Sequence, residues 1–437
     1  MFNLLLTLIV PLTTGSSASA VSLWAANAGL PGHVQVSARK NTRMANSFPG
    51  ADLGAKINAA DKDLGSMPGE IVVRGSGTIS TQVIINSGHT LRFGPGTYTL
   101  TTESLWEGAF MLKSRTAVTG SGWDTVIIEP RIGWIVFQSF ADGRTQPVHS
   151  GTDSNISVTN LQIKGANPAV EGGVRQTVSF GNCHHCAMEN VWLNGIGVIG
   201  VQAGGNAFTG NYAEHVKFRK NQFTHVASQA AAVVNGRDVV IDGNIFKDSG
   251  RCCAQGMTPI DLEPNDSHDI IRNIEITNNL IDSRGSDFLH GNGILVQNGA
   301  RTLGYGPVLV KGNTVIGGYL VPNTSGAIGT GIYVTAYTEN VTVINNTVQR
   351  VGHSGIRLEN STRNYVANNT LISTGTGGIL SFEIINTTDS KIFDNVVTID
   401  PNSPLGTSVI QEIGTSRNNL YRGNTNGRTA LAPNLSH

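Results

Sequence analysis

The amino-acid sequence predicts an all-β protein, a right-handed single-stranded parallel β-helix with a short N-terminal capping helix. The first indication is composition: the 437 residues include 53 glycines and 40 asparagines, while 14% of the residues are charged and 6% are aromatic. Glycine and asparagine favour tight turns, and the plentiful β-branched residues favour strands. The second indication is a short motif that recurs from residue 156 onward.

The recurring motif consists of two or three alternating β-branched residues, an asparagine, and one or two further apolar residues. Ten copies contain the asparagines Asn160, Asn190, Asn221, Asn244, Asn279, Asn313, Asn346, Asn369, Asn395 and Asn424. Their spacing ranges from 23 to 35 residues, so a constant strand and turn alternates with loops of variable length. Each unit is too short to bury its own apolar face, and the units must therefore stack as rungs. Stacked asparagines can hydrogen-bond from rung to rung, which predicts a ladder over about 156–430.

The remaining elements follow in chain order. Residues 1–20 join an apolar run to a stretch of small residues, which indicates a secretory signal peptide. Residues 21–47 are predicted to be an N-terminal extension, and residues 48–437 a single β-helix domain. A short amphipathic helix at about 51–65 would cover the open end of the solenoid and protect its strand edges. No other apolar run is long enough to span a bilayer, so we expect an exported protein, extracellular or periplasmic, with no membrane partner.

Several short segments carry a resemblance to a known superfamily. Phe48-Pro-Gly-Ala-Asp52 precedes the predicted helix, and Gly94-Pro-Gly-Thr-Tyr98 and Gly120-Ser-Gly-Trp123 lie in the first predicted rungs. Together with the asparagine repeats, they resemble the pectate-lyase-like β-helix superfamily of secreted polysaccharide-active enzymes and tailspike-like proteins. The resemblance covers most of the chain. It implies a polysaccharide substrate and either a monomer or a homotrimer.

The charge balance excludes one class of partner. Lysine and arginine together number 30, as do aspartate and glutamate, so the formal net charge is zero. A nucleic-acid-binding protein that works through a basic surface is therefore not expected.

The four cysteines form two close pairs, Cys183/Cys186 and Cys252/Cys253. A structural zinc site needs four converging ligands, and adjacent cysteines are a poor second pair. Disulfides or buried thiols are the better interpretation for an exported protein. The sequence leaves the connectivity open, and we predict no metal site.

A polar strip can be predicted by aligning one strand of each rung. Apolar residues alternate in the pairs Ile260/Leu262, Ile294/Val296, Ile332/Val334 and Ile356/Leu358. The residues between and after them must point outward. One predicted outward column is Asp261, Leu295, Tyr333 and Arg357, and its neighbour is Gln202, Asn235, Glu263, Gln297, Thr335 and Glu359. These columns make a strip that suits an extended sugar chain.

Asp261 and Glu263 form the densest acidic cluster on this strip. Two residues apart on one strand, they project from the same face at about 6.5 to 7 Å. Two carboxylates at such a separation can flank a glycosidic bond. We therefore predict that Asp261 and Glu263 are the catalytic acid and base of a glycoside hydrolase, which would need no cofactor.

A second interpretation follows from the resemblance. In β-helix mannuronan epimerases and alginate lyases, a strand carrying Asp-x-His on the equivalent face holds the catalytic residues. The segment Asp261-Leu-Glu263 is similar, except that glutamate stands where histidine would be. The sequence therefore leaves open a polysaccharide lyase or C5-epimerase acting on uronate chains, with calcium as a cofactor of the lyase.

Chemistry on uronates also needs cations beside the sugar carboxylate and groups that transfer protons. Lys247, Arg251 and Arg357 could supply the cations, and His290 and His353 each precede an outward strand and could act as acid or base. The predicted substrate-binding residues are Gln297, Tyr333, Arg357, Glu359, Asn235, Lys247, Arg251, His290 and His353. A third interpretation is a non-catalytic glycan-binding or tailspike-like protein.

Overall fold

The computed structural model describes residues 41–102, 107–129, 135–142, 151–166, 175–205, 210–250, 257–284, 291–317, 329–375, 380–399, 409–427 and 430–436. These residues belong to one structural unit. The predicted signal peptide lies outside them, as does most of the predicted N-terminal extension.

The strands form two sheets in which each strand pairs in parallel with its neighbours. The first is a 13-stranded sheet composed of Val83–Ile85, Phe110–Leu112, Phe137–Ser139, Gln176–Gly181, Ile199–Gly204, Ala231–Val233, Ile260–Leu262, Asn292–Gln297, Thr330–Thr335, Ile356–Glu359, Phe382–Ile385, Ile410–Ile413 and Asn434–Ser436. The second is a 28-stranded sheet composed of Asn41–Met44, Gly69–Val73, Gly77–Ile79, His89–Phe93, Gly96–Leu100, Ala117–Thr119, Thr125–Glu129, Asp153–Ser154, Ser157–Gly165, Cys183–His184, Ala187–Asn194, Ala213–Glu214, Lys217–Arg219, Gln222–Thr224, Gly236–Asp242, Ile245–Lys247, Ile270–Thr277, Leu280–Asp282, Gly304–Tyr305, Val308–Lys311, Thr314–Ile316, Val341–Ile344, Thr347–Gln349, Tyr365–Ala367, Thr370–Ile372, Lys391–Phe393, Val396–Thr398 and Leu420–Arg422.

One turn of the solenoid shows how the sheets are built. The chain runs along Ile260–Leu262 in the 13-stranded sheet, then along Ile270–Thr277 and Leu280–Asp282 in the 28-stranded sheet, and returns at Asn292–Gln297. The returning strand lies beside the first, about 4.8 Å further along the axis. The coil is right-handed, as parallel crossovers almost always are. The predicted fold class is therefore confirmed.

The core occupies the interior of the coil. Inward side chains of successive strands, such as Ile260, Leu262, Ile294 and Val296, are fully buried. Because strand side chains alternate between the two faces, the residues between these positions face outward.

The capping helix is present as α1 (Leu53–Leu64). Its N-cap is Asp52, whose carboxylate accepts a hydrogen bond from the Ala55 N–H at 3.0 Å. The helix buries Leu53, Ile57 and Leu64 at the N-terminal end of the coil. Among the described residues, no helix combines the length and the apolar character that spanning a bilayer requires.

The first described strand begins before residue 48, the predicted start of the β-helix domain. Asn41–Met44 pairs in parallel with Gly69–Val73, and the 3-10 helix Ala45–Ser47 then leads towards α1. The sequence Asn-Thr-Arg-Met lacks the alternation of β-branched residues that marks the other rungs, which is why it did not predict a strand. A second 3-10 helix spans Phe140–Asp142.

A buried asparagine ladder runs through eight rungs. Its members are Asn221, Asn244, Asn279, Asn313, Asn346, Asn369, Asn395 and Asn424. In a typical step, the backbone N–H and the side-chain amide of Asn279 both donate to the Asn313 side-chain oxygen, at 3.0 and 2.9 Å. The Asn313 amide in turn donates to the Ile276 carbonyl at 2.9 Å. The ladder thus satisfies side-chain and main-chain groups at the same turn of these eight rungs.

Asn160 and Asn190 were predicted to belong to this ladder, and that prediction is wrong by one residue. Both have a left-handed backbone, with φ of 56° and 55°, and they pair with each other outside the core at 2.8 Å. The buried ladder position in their rungs holds Leu161 and Val191, and the Val191 N–H donates to the Asn221 side chain at 3.0 Å. The left-handed position beside the ladder also favours asparagine, so sequence alone does not separate the two.

Cys183 and Cys186 form a disulfide. Their sulfurs are therefore not available as zinc ligands. Cys252 and Cys253 lie outside the described residues.

Candidate functional site

The outer face of the 13-stranded sheet carries a continuous column of side chains. The register pairs Asp261 with Leu295, Leu295 with Tyr333, and Tyr333 with Arg357, as the sequence predicts. The next strand adds Glu383, which pairs with Arg357. With one strand spacing per step, the column extends over about 19 Å.

The second predicted column is only partly correct. Gln297 pairs with Thr335 on the outer face and is half-buried. Gln202, however, pairs with Ala232, which pairs with Asp261. Gln202 therefore belongs to the Asp261 column, because it lies between two inward residues of its strand.

The predicted place of Asn235 beside Glu263 is also wrong. Since Val233 pairs with Leu262, Asn235 lies one residue beyond the position that aligns with Glu263. Its side chain stabilises the turn at this corner of the coil. The side-chain oxygen accepts a hydrogen bond from the Ile270 N–H at 2.9 Å, and the side-chain amide donates one to the Asn211 carbonyl at 3.1 Å. Asn235 is 2% exposed, so its amide is committed to the turn.

Three other predicted residues are not brought to this face by the described structure. Lys247 lies in the 28-stranded sheet, between Thr224 and Asp282 of the neighbouring rungs. Arg251 and His290 lie outside the described residues.

Asp261 is almost fully covered, with 3% exposure. The Gln229 amide donates to its Oδ2 at 3.2 Å, and Glu263 lies two residues further along the chain. Burial, and then the adjacent Glu263 charge, raise the pKa of Asp261 well above its ordinary value. The raised pKa favours the protonated form of Asp261, while the half-buried Glu263 faces the groove.

The Glu263 charge acts directly on the neighbouring Asp261. Two adjacent carboxyl groups disfavour the ionisation of both at once, and we refer to Asp261 and Glu263 as the proton-sharing pair. Their backbone positions, two residues apart on a strand, still allow the carboxyl groups to separate by side-chain rotation.

Arg357 organises a second group of side chains on the same face. Its guanidinium contacts Glu359 at 2.9 Å, His353 at 3.3 Å and Glu383 at 3.7 Å. The Tyr333 hydroxyl donates to Glu359, and the guanidinium lies 5.2 Å from the centre of the Tyr333 ring. We call Tyr333, His353, Arg357, Glu359 and Glu383 the arginine cluster.

The arginine cluster unites four residues that the sequence predicts separately, and it adds Glu383, which was missed together with its partner Ser354. Glu383 occupies the outward position between the buried Phe382 and Ile384. The same alternation found the other members of the column, so it could have identified Glu383. Ser354, which donates to Glu383, lies in a loop without such a pattern.

Two carboxylates and one guanidinium give the arginine cluster an excess of negative charge when His353 is neutral. Burial lowers the pKa of His353 most strongly, Arg357 lowers it further, and Glu383 and Glu359 oppose these effects. The balance leaves the pKa of His353 below its ordinary value. The imidazole is thus a neutral proton acceptor at physiological pH.

Single replacements should move the pKa of His353 in opposite directions. Glu383→Gln removes a charge that stabilises the imidazolium, so the pKa is expected to fall further. Arg357→Gln removes a repulsive charge, so the pKa is expected to rise. NMR titration of the His353 ring signals measures both shifts, with Glu339→Gln as a control on another turn. A pKa unmoved by either replacement would contradict the contacts described for His353.

The described residues contain one group of side chains with the spacing of a metal site, and it lies in another part of the coil. Glu214, His215 and Asp238 offer ligand atoms within 4.8 Å of one another. Arg237 donates to Glu214 and lies 3.7 Å from Asp238, so a cation already occupies this cluster. On the candidate site itself, a protonated Asp261 is a poor ligand for calcium, which prefers carboxylate oxygens.

No protein-family model and no curated protein matches the sequence. Solved structures do match. The A-module of the mannuronan C-5 epimerase AlgE6 from Azotobacter vinelandii is 14% identical, with a TM-score of 0.63 over 90% of this chain and 96% of that one. The catalytic unit of a GH87 alpha-1,3-glucanase from Streptomyces thermodiastaticus is 15% identical, with a TM-score of 0.61 over 92% and 70%.

A third match is an adhesin. PfbA, a surface adhesin of Streptococcus pneumoniae, is 12% identical, with a TM-score of 0.51 over 88% of this chain and 99% of that one. At such identities the similarity concerns the fold and does not choose among epimerase, glucanase and adhesin. The chain shares with these proteins the right-handed parallel β-helix.

Proposed function

We propose that the protein is a secreted enzyme that cleaves an extended polysaccharide along the outer face of the 13-stranded sheet, as a glycoside hydrolase. The observation that carries the proposal is the buried Asp261 next to the groove-facing Glu263, a neighbour whose charge raises the pKa of Asp261. It stands in register with the arginine cluster, two strand spacings from Tyr333. The pair would supply the proton chemistry, and the arginine cluster would bind neighbouring sugar residues.

The pair can complete a hydrolytic cycle without gaining or losing a proton. Asp261 passes its proton to Glu263, the member that faces the groove, and Glu263 donates it to the glycosidic oxygen as the C–O bond breaks. The ionised Asp261 then accepts a proton from the water that attacks the anomeric carbon. Its Oδ1 has no hydrogen-bond partner among the described residues, and this buried atom reaches the water once the side chain rotates towards the groove. The cycle returns Asp261 protonated and Glu263 ionised.

The charge of the outer face supports hydrolysis over uronate chemistry. Between the rungs of Asp261 and Glu383, the described outward residues include four carboxyl groups and one arginine, Arg357. That guanidinium already contacts Glu359 and Glu383, so it is not free to neutralise a sugar carboxylate. A polyuronate would meet net repulsion on this face.

A lyase or C5-epimerase is the second candidate. It is favoured by one observation, the neutral His353 beside Arg357 and close to the Tyr333 hydroxyl. An imidazole and a phenol could remove and return a proton on a uronate ring, provided that Arg357 exchanges a glutamate for the sugar carboxylate.

A panel of neutral glycans and uronate polymers would test these candidates. The hydrolase should release reducing ends from a neutral glycan without ultraviolet absorbance from an unsaturated product. Growth of that absorbance would instead identify a lyase, and altered uronate composition without cleavage an epimerase. Binding without any product would point to the non-catalytic alternative.

A further inference from the structure

A cavity opens at the corner that follows the 13-stranded sheet, beside the arginine cluster. It has a volume of about 480 Å³, and its lining includes Tyr337, Asn360, Ser361, Asn386 and Thr415. Asn360 directly follows Glu359 in the chain. The corner therefore continues the candidate groove towards the 28-stranded sheet.

Tyr337 is an inserted residue with an unfavourable backbone. Val334 pairs with Leu358 in the next rung, and Glu339 pairs with Thr362. Between these two pairings the rung of Tyr337 has four residues, whereas the next rung has three. Ala336 and Tyr337 both adopt the left-handed region, with φ of 54° and 65°. A bulky residue rarely accepts this conformation without a compensating role.

The Tyr337 side chain contacts a cation but remains largely exposed to solvent. The Arg301 guanidinium lies 3.9 Å from the centre of the ring, while 53% of the residue remains exposed. One side of the phenol is therefore fixed by a cation, and the ring still presents an apolar surface to solvent.

Uncharged polar groups continue from the ring along the axis. The Asn386 amide donates to the Asn360 oxygen at 3.2 Å, and the Thr415 hydroxyl donates to the Asn386 oxygen at 3.2 Å. These residues belong to successive rungs and form a row of amides and hydroxyls about 10 Å long. An aromatic ring beside such a row is suited to a sugar, whose ring carbons pack on the aromatic face while its hydroxyls bind polar groups.

We propose that Tyr337 is a stacking platform for one ring of a neutral glycan chain, with Asn360, Asn386 and Thr415 binding the adjacent hydroxyls. The assignment rests on the proposed function and specifies its substrate class, since the five lining residues named above are uncharged. The platform lies outside the proton-sharing pair and the arginine cluster, so it contributes to binding and not to proton transfer.

Tyr337→Asn tests the platform without threatening the fold. Asparagine tolerates the left-handed backbone, as Asn360 and Asn386 do at this corner, so thermal stability should be kept or raised. Isothermal titration with neutral oligosaccharides from the panel should show affinity reduced roughly fivefold to tenfold, the loss expected for one ring contact. Tyr337→Phe should keep the affinity. Tyr365→Ala is the matched control, since Tyr365 is 39% exposed on the 28-stranded sheet.

The outcomes separate the two proposals. Equal affinity of the wild type and Tyr337→Asn for a bound glycan would overturn the platform and leave the proposed function standing. Tighter binding of uronate than of neutral oligosaccharides would overturn the assignment of substrate class. If the wild-type protein binds no glycan of either kind, both the proposed function and the platform are overturned.

Discussion

Glu263→Gln is expected to reduce the rate of glycan cleavage by about a thousandfold, within the range of roughly 10² to 10⁴ that general acid catalysis contributes. Glutamine preserves the size of the side chain but cannot deliver a proton to the glycosidic oxygen. Asp261→Asn should cause a similar loss, because asparagine breaks the exchange of one proton between the two residues. Initial rates of reducing-end release measure both effects. Wild-type turnover in either variant would remove that residue from the mechanism.

Stability distinguishes the catalytic role of Asp261 from a structural one. Folding raises the pKa of Asp261, so the folded protein holds this proton more tightly than the unfolded chain. Below the ordinary aspartate pKa of about 3.9, Asp261 is protonated in both the folded and the unfolded state, and its burial carries no ionisation cost. As the pH rises from there towards the pKa of Asp261 in the folded protein, the unfolded chain ionises first and the free energy of unfolding falls. Asp261→Asn removes this cost and should be more stable than the wild type at neutral pH.

Urea unfolding at pH 4 and pH 7 would show the change. The stability gained by Asp261→Asn should be larger at pH 7 than at pH 4. Glu275→Gln, which replaces an exposed acid on the 28-stranded sheet, provides the control for both activity and stability. A variant that is inactive and also less stable at pH 7 would indicate that Asp261 acts by holding the fold.

Asn313→Ala is expected to destabilise the coil strongly, by about 3 to 6 kcal/mol. It removes the acceptor of two hydrogen bonds from Asn279 and the donor to the Ile276 carbonyl. Each buried group left without a partner costs about 1 to 3 kcal/mol. The shift of the urea midpoint measures the loss.

Asn190→Ala provides the matched control for the ladder. Asn190 is exposed, and its side chain pairs with Asn160 outside the core. A replacement there should cost about 1 to 2 kcal/mol, less than at Asn313, and mainly because alanine disfavours the left-handed backbone of Asn190. Comparable losses in the two variants would show that the buried ladder is not a special source of stability.

The sequence predicts the scaffold and most of the outward column, because alternation of apolar residues is imposed by the strand itself. Ile260/Leu262 and Ile356/Leu358 point inward, and the residues between them have to point outward. The same rule does not apply at corners. Asn235 and Asn160 occupy turns, where one residue more or less changes the position without changing the composition.

The interactions within the candidate site were less predictable. The burial of Asp261 beside Glu263 depends on side-chain rotamers and on the cover that Gln229 provides. His353 reaches Arg357 from a loop before the strand, and no periodicity encodes where such a loop places a side chain. Glu383 follows the same alternation of inward and outward residues, so aligning one further strand with that of Arg357 would have predicted it.

Because the strand spacing is constant, the distance between two substrate-contacting groups on the outward column is a whole number of rungs. One rung, that of Leu295, separates Asp261 from Tyr333 in the outward column. Adding or deleting a whole rung there would move the proton-sharing pair relative to the arginine cluster by a single increment of about 4.8 Å. The asparagine ladder would stay continuous after such a change, because Asn279, Asn313 and Asn346 form the same hydrogen bonds from rung to rung. The distance between cleavage and recognition could thus be adjusted by rung number, independently of the side chains that perform either task.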